Sequence, residues 1–130
     1  MYIHFTKNLI HRDIKPENVL LNSRGEVKIT DFGISKHLGK TQGIANTFVG
    51  TIIYMSPERI LNKKYSHNCD VWSFGLMMYE LATGLNPYKF DKEKAPLARV
   101  VQVLEMEAPK LDEGFSPEFR HFISCWYLTP

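Results

Sequence analysis

The stretch His11-Arg12-Asp13-Ile14-Lys15-Pro16-Glu17-Asn18, followed after a short interval by Asp31-Phe32-Gly33, decides how this chain is read. Between the two blocks, Val19-Leu20-Leu21 is a short apolar strand. Asn22-Ser23-Arg24-Gly25 is a turn with a glycine available for positive φ, and Glu26-Val27-Lys28-Ile29-Thr30 alternates polar and apolar as a half-buried strand does. A hairpin here turns the chain back, so that Asp31 returns to the side where Asp13 and Asn18 sit. Two carboxylates and an amide oxygen are hard ligands, suited to Mg²⁺ bound together with substrate phosphates. Arg12 and Lys15 place positive charge beside them, able to offset phosphate charge.

Outward from this block, the chain is a single domain's worth of sequence: 130 residues, 44% hydrophobic and 23% charged. Sixteen Lys and Arg against fourteen Asp and Glu leave a formal charge of +2, and the densest basic run is Lys63-Lys64, which argues against nucleic acid. The longest strongly apolar stretch, Val71 to Tyr79, is nine residues, well short of the roughly twenty that a membrane span needs. The N-terminal residues have no apolar core of the signal-peptide kind. Cys69 and Cys125 stand in no metal-like spacing and are expected to be reduced and mostly buried, in the cytoplasm or the nucleus.

Residues 1–30 read as a loop-rich front end leading into the hairpin. Residues 34–56 show no sustained period and are glycine-rich, which marks a long functional loop. From Asp70 to Thr83 apolar residues fall on every side of a helix, which predicts burial all round, with Gly84 placed as its C-terminal cap. Leu97, Val100, Val101 and Leu104 follow the spacing of an amphipathic helix that Pro109 stops. Ser116-Pro117-Glu118 opens a last helix with apolar Phe119, Phe122, Ile123 and Trp126. His4, His37, His67 and His121 read as surface or packing residues, and His11 as a packing and hydrogen-bonding one. Met77, Met78, Trp72 and Trp126 read as core.

The first block resembles the catalytic loop of protein kinases, His-Arg-Asp-x-x-x-x-Asn, and Asp31-Phe32-Gly33 resembles their magnesium-binding Asp-Phe-Gly. Ser56-Pro57-Glu58 stands where that family has Ala-Pro-Glu, and Asp70-Val71-Trp72-Ser73-Phe74-Gly75 resembles the start of its central buried helix. Four motifs in order, running from about Met1 to Pro130, make the resemblance specific. Ala45 to Thr51, with Tyr54-Met55-Ser56-Pro57-Glu58-Arg59, is similar to the MAP kinase kinases, in which serine replaces the alanine of that triplet. Animal members carry two phosphorylated hydroxyls four apart, and the earlier of those positions here is Gly43. Thr41 and Thr47 have instead the six-residue spacing of plant members, which suggests a plant or protist source.

The resemblance implies a protein-kinase-like α+β fold: the mostly helical C-terminal lobe with a small β-hairpin, and no N-terminal lobe within this chain. It implies Asp13 as the base for the attacking hydroxyl and Lys15 on the transferring γ-phosphate of ATP, in an Asp-x-Lys-Pro context typical of serine/threonine kinases. Asn18 and Asp31 would hold Mg²⁺. Thr51 would position the acceptor, Asp70 would brace the catalytic loop, and Thr47 and Thr41 would be phosphorylated by an upstream activating kinase. A phosphothreonine adds roughly −1.5 to −2 charges, which Arg12 is placed to bind. The substrate implied is a MAP kinase in a signalling cascade.

The chain contains no Gly-x-Gly-x-x-Gly and no Val-Ala-Ile-Lys strand, the family's nucleotide clamp. Glu58 has no arginine past a proline to pair with. The expectation is therefore a partial kinase domain over 1–130, truncated at both ends, inactive alone and marginally stable. Two other readings stay open on the sequence. One is a short non-catalytic docking or scaffold module, with the helix from Leu97 to Leu104 and residues 50–56 as contact surfaces. The other is a lobe completed by a separately encoded N-terminal half.

Overall fold

A computed structural model of the chain describes residues 2–32, 52–88, 96–105, 107 and 109–126. The front end opens on a π-helical turn, Tyr2–Thr6, rather than the expected loop. After the catalytic-loop block comes a single 3₁₀ turn, Pro16–Asn18, with Pro16 at its first position, where a preset φ and a missing N–H cost nothing.

The hairpin forms as expected. Strand β1 (Val19–Leu21) pairs antiparallel with β2 (Val27–Ile29), in the register Val19↔Ile29, Leu20↔Lys28, Leu21↔Val27. Its turn is fixed by Asn22, whose Oδ1 accepts from the backbone N–H groups of Arg24 (2.9 Å) and Glu26 (3.0 Å). Gly25 sits at φ +78°, the left-handed conformation glycine adopts without strain. The half-buried alternation is not borne out: Leu20, Leu21 and Val27 are all exposed, and only the end pair Val19 and Ile29 packs on the core. A two-stranded ribbon standing out from the body can bury only its root.

Residues 52–56 end the expected long loop early. Ile52, Tyr54, Met55 and Ser56 are buried, and a short helix α1 (Pro57–Ile60) follows. The rest of that loop lies outside the described residues. The central helix α2 (Asn68–Thr83) ends at Gly84, whose φ of +70° and N–H bond to the Glu80 carbonyl (2.8 Å) form the expected cap. Burial all round is overturned: Cys69, Trp72, Leu76 and Met77 face the core, whereas Phe74 and Leu81 are 41% and 65% exposed. The described neighbours cover one face of α2 and leave the other open.

Helix α3 (Pro96–Glu105) stops four residues before Pro109, and it buries Val103 while Val101 and Leu104, two residues of the expected apolar face, stay exposed. Helix α4 (Pro117–Trp126) starts as expected, with Ser116 Oγ accepting from the Phe119 N–H (3.2 Å), and it buries Ile123 fully. α2 packs against α4, and α1 against α3. One core joins Ile14 of the catalytic-loop block to Tyr54, Trp72, Leu76, Met77, Tyr88, Val103, Leu111 and Ile123. Among the described residues no helix is long and apolar enough to cross a membrane.

Candidate active site

The site is built from the buried carboxylate of Asp70 outward. A carboxylate this deep must be fully hydrogen-bonded to be tolerated. Asp70 lies in the first turn of α2, where the helix dipole favours negative charge, and it accepts three bonds. The backbone N–H groups of His11 and Arg12 reach Oδ2 and Oδ1, both at 2.7 Å, and His4 Nε2 lies 2.9 Å from Oδ2. Arg12 has φ +71°, a conformation disfavoured for any residue with a Cβ, so the loop needs these anchors to hold its shape.

His11 is fully buried and ties the loop to the hairpin. Its Nε2 is 2.8 Å from the Thr30 carbonyl and its Nδ1 accepts from the Asp13 N–H at 3.3 Å, a pattern that fits the Nε2-protonated ring. The ring also meets Phe32 edge-on, at 4.7 Å. Packing and hydrogen bonding, as expected, are what this histidine does.

Asp13, Lys15 and Asn18 converge. Lys15 Nζ lies 3.0 Å from Asp13 Oδ2. Asn18 Nδ2 donates to that same oxygen at 2.9 Å and to the Asp13 carbonyl at 2.7 Å. Both partners grip Oδ2, so the carboxylate is oriented with Oδ1 left, among the described residues, to accept from a further donor such as a hydroxyl. Asn18, buried, has both amide protons committed, which leaves its Oδ1 as the atom a cation can use.

Asp31 follows directly after Thr30, whose N–H and Oγ1 bond the Asn18 carbonyl at 2.9 and 3.4 Å. The hairpin therefore does return Asp31 to Asn18's side. Asp31 is exposed and sits at φ +63°. Among the described residues no three His, Cys, Asp or Glu side chains form a metal cluster. One carboxylate and one amide oxygen are too few for an all-protein cage, but they suit Mg²⁺, which keeps waters and takes phosphate oxygens as its other ligands.

The family profile described as "Protein kinase domain" matches residues 1–129. This chain belongs to the protein kinase family. It is similar to "Mitogen-activated protein kinase kinase 2" of Arabidopsis thaliana, 49% identical over all of this chain and 38% of that protein. It is 50% identical to "Mitogen-activated protein kinase kinase 1" of the same plant, over 95% of this chain and 36% of that protein. With "Mitogen-activated protein kinase kinase SIPKK" of Nicotiana tabacum it shares 48%, over 95% of this chain and 36% of that protein. The kinase chain thus spans under two fifths of the length of each of these three relatives.

The remaining expected residues of the kinase chain fall differently. Thr41, Thr47 and Thr51 lie outside the described residues. Glu58, in the first turn of α1, makes no ion pair among the described residues. Arg12 faces the ring of Tyr65, 5.7 Å from its centroid, and its Nε is buried without a partner among those residues. Cys69 is buried, and burial followed by the charge of neighbouring Asp70 pushes its thiol up to about 12. Cys125, expected to be buried, is exposed on α4 with Sγ 3.4 Å from His121 Nε2.

Three residues of the site escaped the sequence reading. His4 completes the shell of Asp70, and nothing in its spacing signals that. Arg59 donates from Nη1 to the Arg12 carbonyl and, like Arg12, lies over Tyr65, at 5.6 Å. Tyr54 donates its hydroxyl to Glu80, and burial followed by that bond raises its pKa above the usual range. A cavity of about 560 Å³, lined by Ile3, Phe5, Ile14, Val71, Phe74 and Phe122 among others, contains none of Asp13, Lys15, Asn18 and Asp31. Its apolar lining suits packing rather than phosphoryl chemistry.

Proposed function

We propose that this chain is the catalytic-loop part of a MAP-kinase-kinase-like domain. The complete domain would move the γ-phosphoryl group of ATP to a Ser or Thr hydroxyl of a MAP kinase, with Tyr left open as a second acceptor. The observation that carries this reading is the Asp13 carboxylate, fastened through Oδ2 by Lys15 and Asn18 and left open at Oδ1. A hydroxyl donating to Oδ1 delivers its proton there as its oxygen attacks. Lys15, beside the same carboxylate, is placed to balance charge on the transferred group. Asn18 Oδ1 and the Asp31 carboxylate would hold Mg²⁺, which would supply positive charge against the ATP phosphates.

Regulation follows from the same charges. Phosphates on Thr47 and Thr41, added by an upstream kinase, would find in Arg12 a cation one residue from the base. Phosphorylation then bears directly on the geometry of Asp13.

The test is Asp13→Asn in the complete kinase domain, assayed with labelled ATP and a MAP kinase. Transfer is expected to fall by about 10² to 10⁴, the usual worth of a general base, with the circular dichroism spectrum unchanged. Retained transfer sinks the mechanism. Capture of a MAP kinase by a wild-type protein that turns over no ATP would hand the case to the docking module.

A further inference from the structure

We propose that Arg59 is a positioning residue for Asp13, acting through the peptide bond between Arg12 and Asp13. This rests on reading Asp13 as the catalytic base. Nothing in the sequence singles Arg59 out beyond its place after Ser56-Pro57-Glu58.

The peptide plane that leads into Asp13 has two polar ends, and each has one partner. Its N–H, on Asp13, reaches His11 Nδ1 at 3.3 Å, a long bond. Its carbonyl, on Arg12, accepts from Arg59 Nη1. The preceding N–H groups, of His11 and Arg12, are held by Asp70. Arg12 sits at φ +71°, a strained torsion of the preceding plane that the Asp70 bond to the Arg12 N–H holds in place, so the plane leading into Asp13 is the next one that needs a hold of its own. A rotation of the plane would break both bonds, and whatever part of it φ of Asp13 does not compensate shifts the Asp13 side chain against Lys15 and Asn18. The bond to His11 is the weaker guard, and the charge-assisted bond from Arg59 is the stronger.

Arg59 is itself held for this task. Its guanidinium lies 5.6 Å from the centre of the Tyr65 ring, with Arg12 at 5.7 Å from the same ring. Among the described residues neither arginine is paired with a carboxylate. The charge of Arg59 is therefore directed at a backbone carbonyl rather than at an acidic side chain. Because Arg59 belongs to α1, directly after buried residues 52–56, the contact also links that segment to the loop bearing the base.

The experiment is amide hydrogen exchange on the chain with Arg59→Ala, Arg59→Gln and Arg59→Lys. In the alanine variant the Asp13 amide should exchange about tenfold faster or more, the size of one lost charge-assisted bond, while the Leu76 and Met77 amides keep their rates. Lysine, which can still donate with a charge, should restore most of the protection. Glutamine should fall between, and it carries the comparison if the alanine variant does not fold. Unchanged exchange at Asp13, loss spread equally into α2, or no rescue by lysine would each overturn the proposal. In the complete domain, Arg59→Ala should lower kcat by about 10- to 100-fold at constant KM for ATP. A raised KM at constant kcat also overturns it. A wild-type domain without transfer, combined with the expected exchange pattern, would remove the role of Asp13 as base and leave the hold of Arg59 on the peptide standing.

Discussion

At the scale of single residues, most of the site depends on how one carboxylate shares its lone pairs. Asp70 answers two backbone N–H groups and an imidazole with two oxygens. Asp70→Asn keeps the shape but offers one oxygen and an NH₂, which meets at least one N–H head-on. The expected loss is about 1.5–3 kcal/mol of stability, read from the urea midpoint, because hydrogen bonds to a charged group are being removed. A loss under about 0.5 kcal/mol, the range of ordinary surface changes, would show that the loop is held by something else. The sequence made Asp70 legible as a brace through its motif. It did not make His4 or Arg59 legible, because each acts on a partner far along the chain, and a lone histidine or arginine carries no spacing that points to one.

At the scale of elements, local rules were read correctly and their surroundings were not. Ser116-Pro117 announces the start of α4, since a cap needs only its own few residues. Ser116→Ala should cost about 1 kcal/mol in thermal unfolding, because the Phe119 N–H loses its acceptor. An unchanged melting temperature would mean that solvent serves that N–H equally well. The hairpin was legible for the same reason, its turn and strands being set by neighbours in sequence. The burial of α2 was not: apolar residues all round a helix state what it can bury, whereas Phe74 and Leu81 stay exposed because the described elements cover them only in part, Phe74 meeting just the edge of the Phe122 ring of α4. In α3 the same ambiguity holds at its C-terminal end, where Val103 rather than Leu104 meets the core.

At the scale of the whole molecule, the buried acids set a limit on the alkaline side. The Cys69 thiol is held neutral up to about 12 in the folded chain and ionises near 8.5 when unfolded. Its folded pKa is raised, so the stability it contributes is complete below about pH 8.5 and is lost as the pH climbs towards 12. Tyr54, also raised, adds in the same direction at higher pH. Urea unfolding at pH 7, 9 and 10.5 should show a falling midpoint, and Cys69→Ala should flatten its first part. A midpoint that does not move over that range would contradict the burial of Cys69.

The grip of Asp70 on the backbone of His11 and Arg12 also bears on the order in which the chain assembles. Those bonds span 59 and 58 residues, whereas α2 is a continuous run that forms from its own neighbours. Closing a loop of that length carries an entropy that must be met before the first of the long-range bonds gives anything back. Helix α2 is therefore expected to form ahead of those bonds, with the catalytic loop and its Ile14 closing the shared core afterwards. In refolding, the helical signal should rise before Trp72 is enclosed and before the loop around Asp13 is in place; Trp72 fluorescence that becomes native together with the first helical signal would contradict this order.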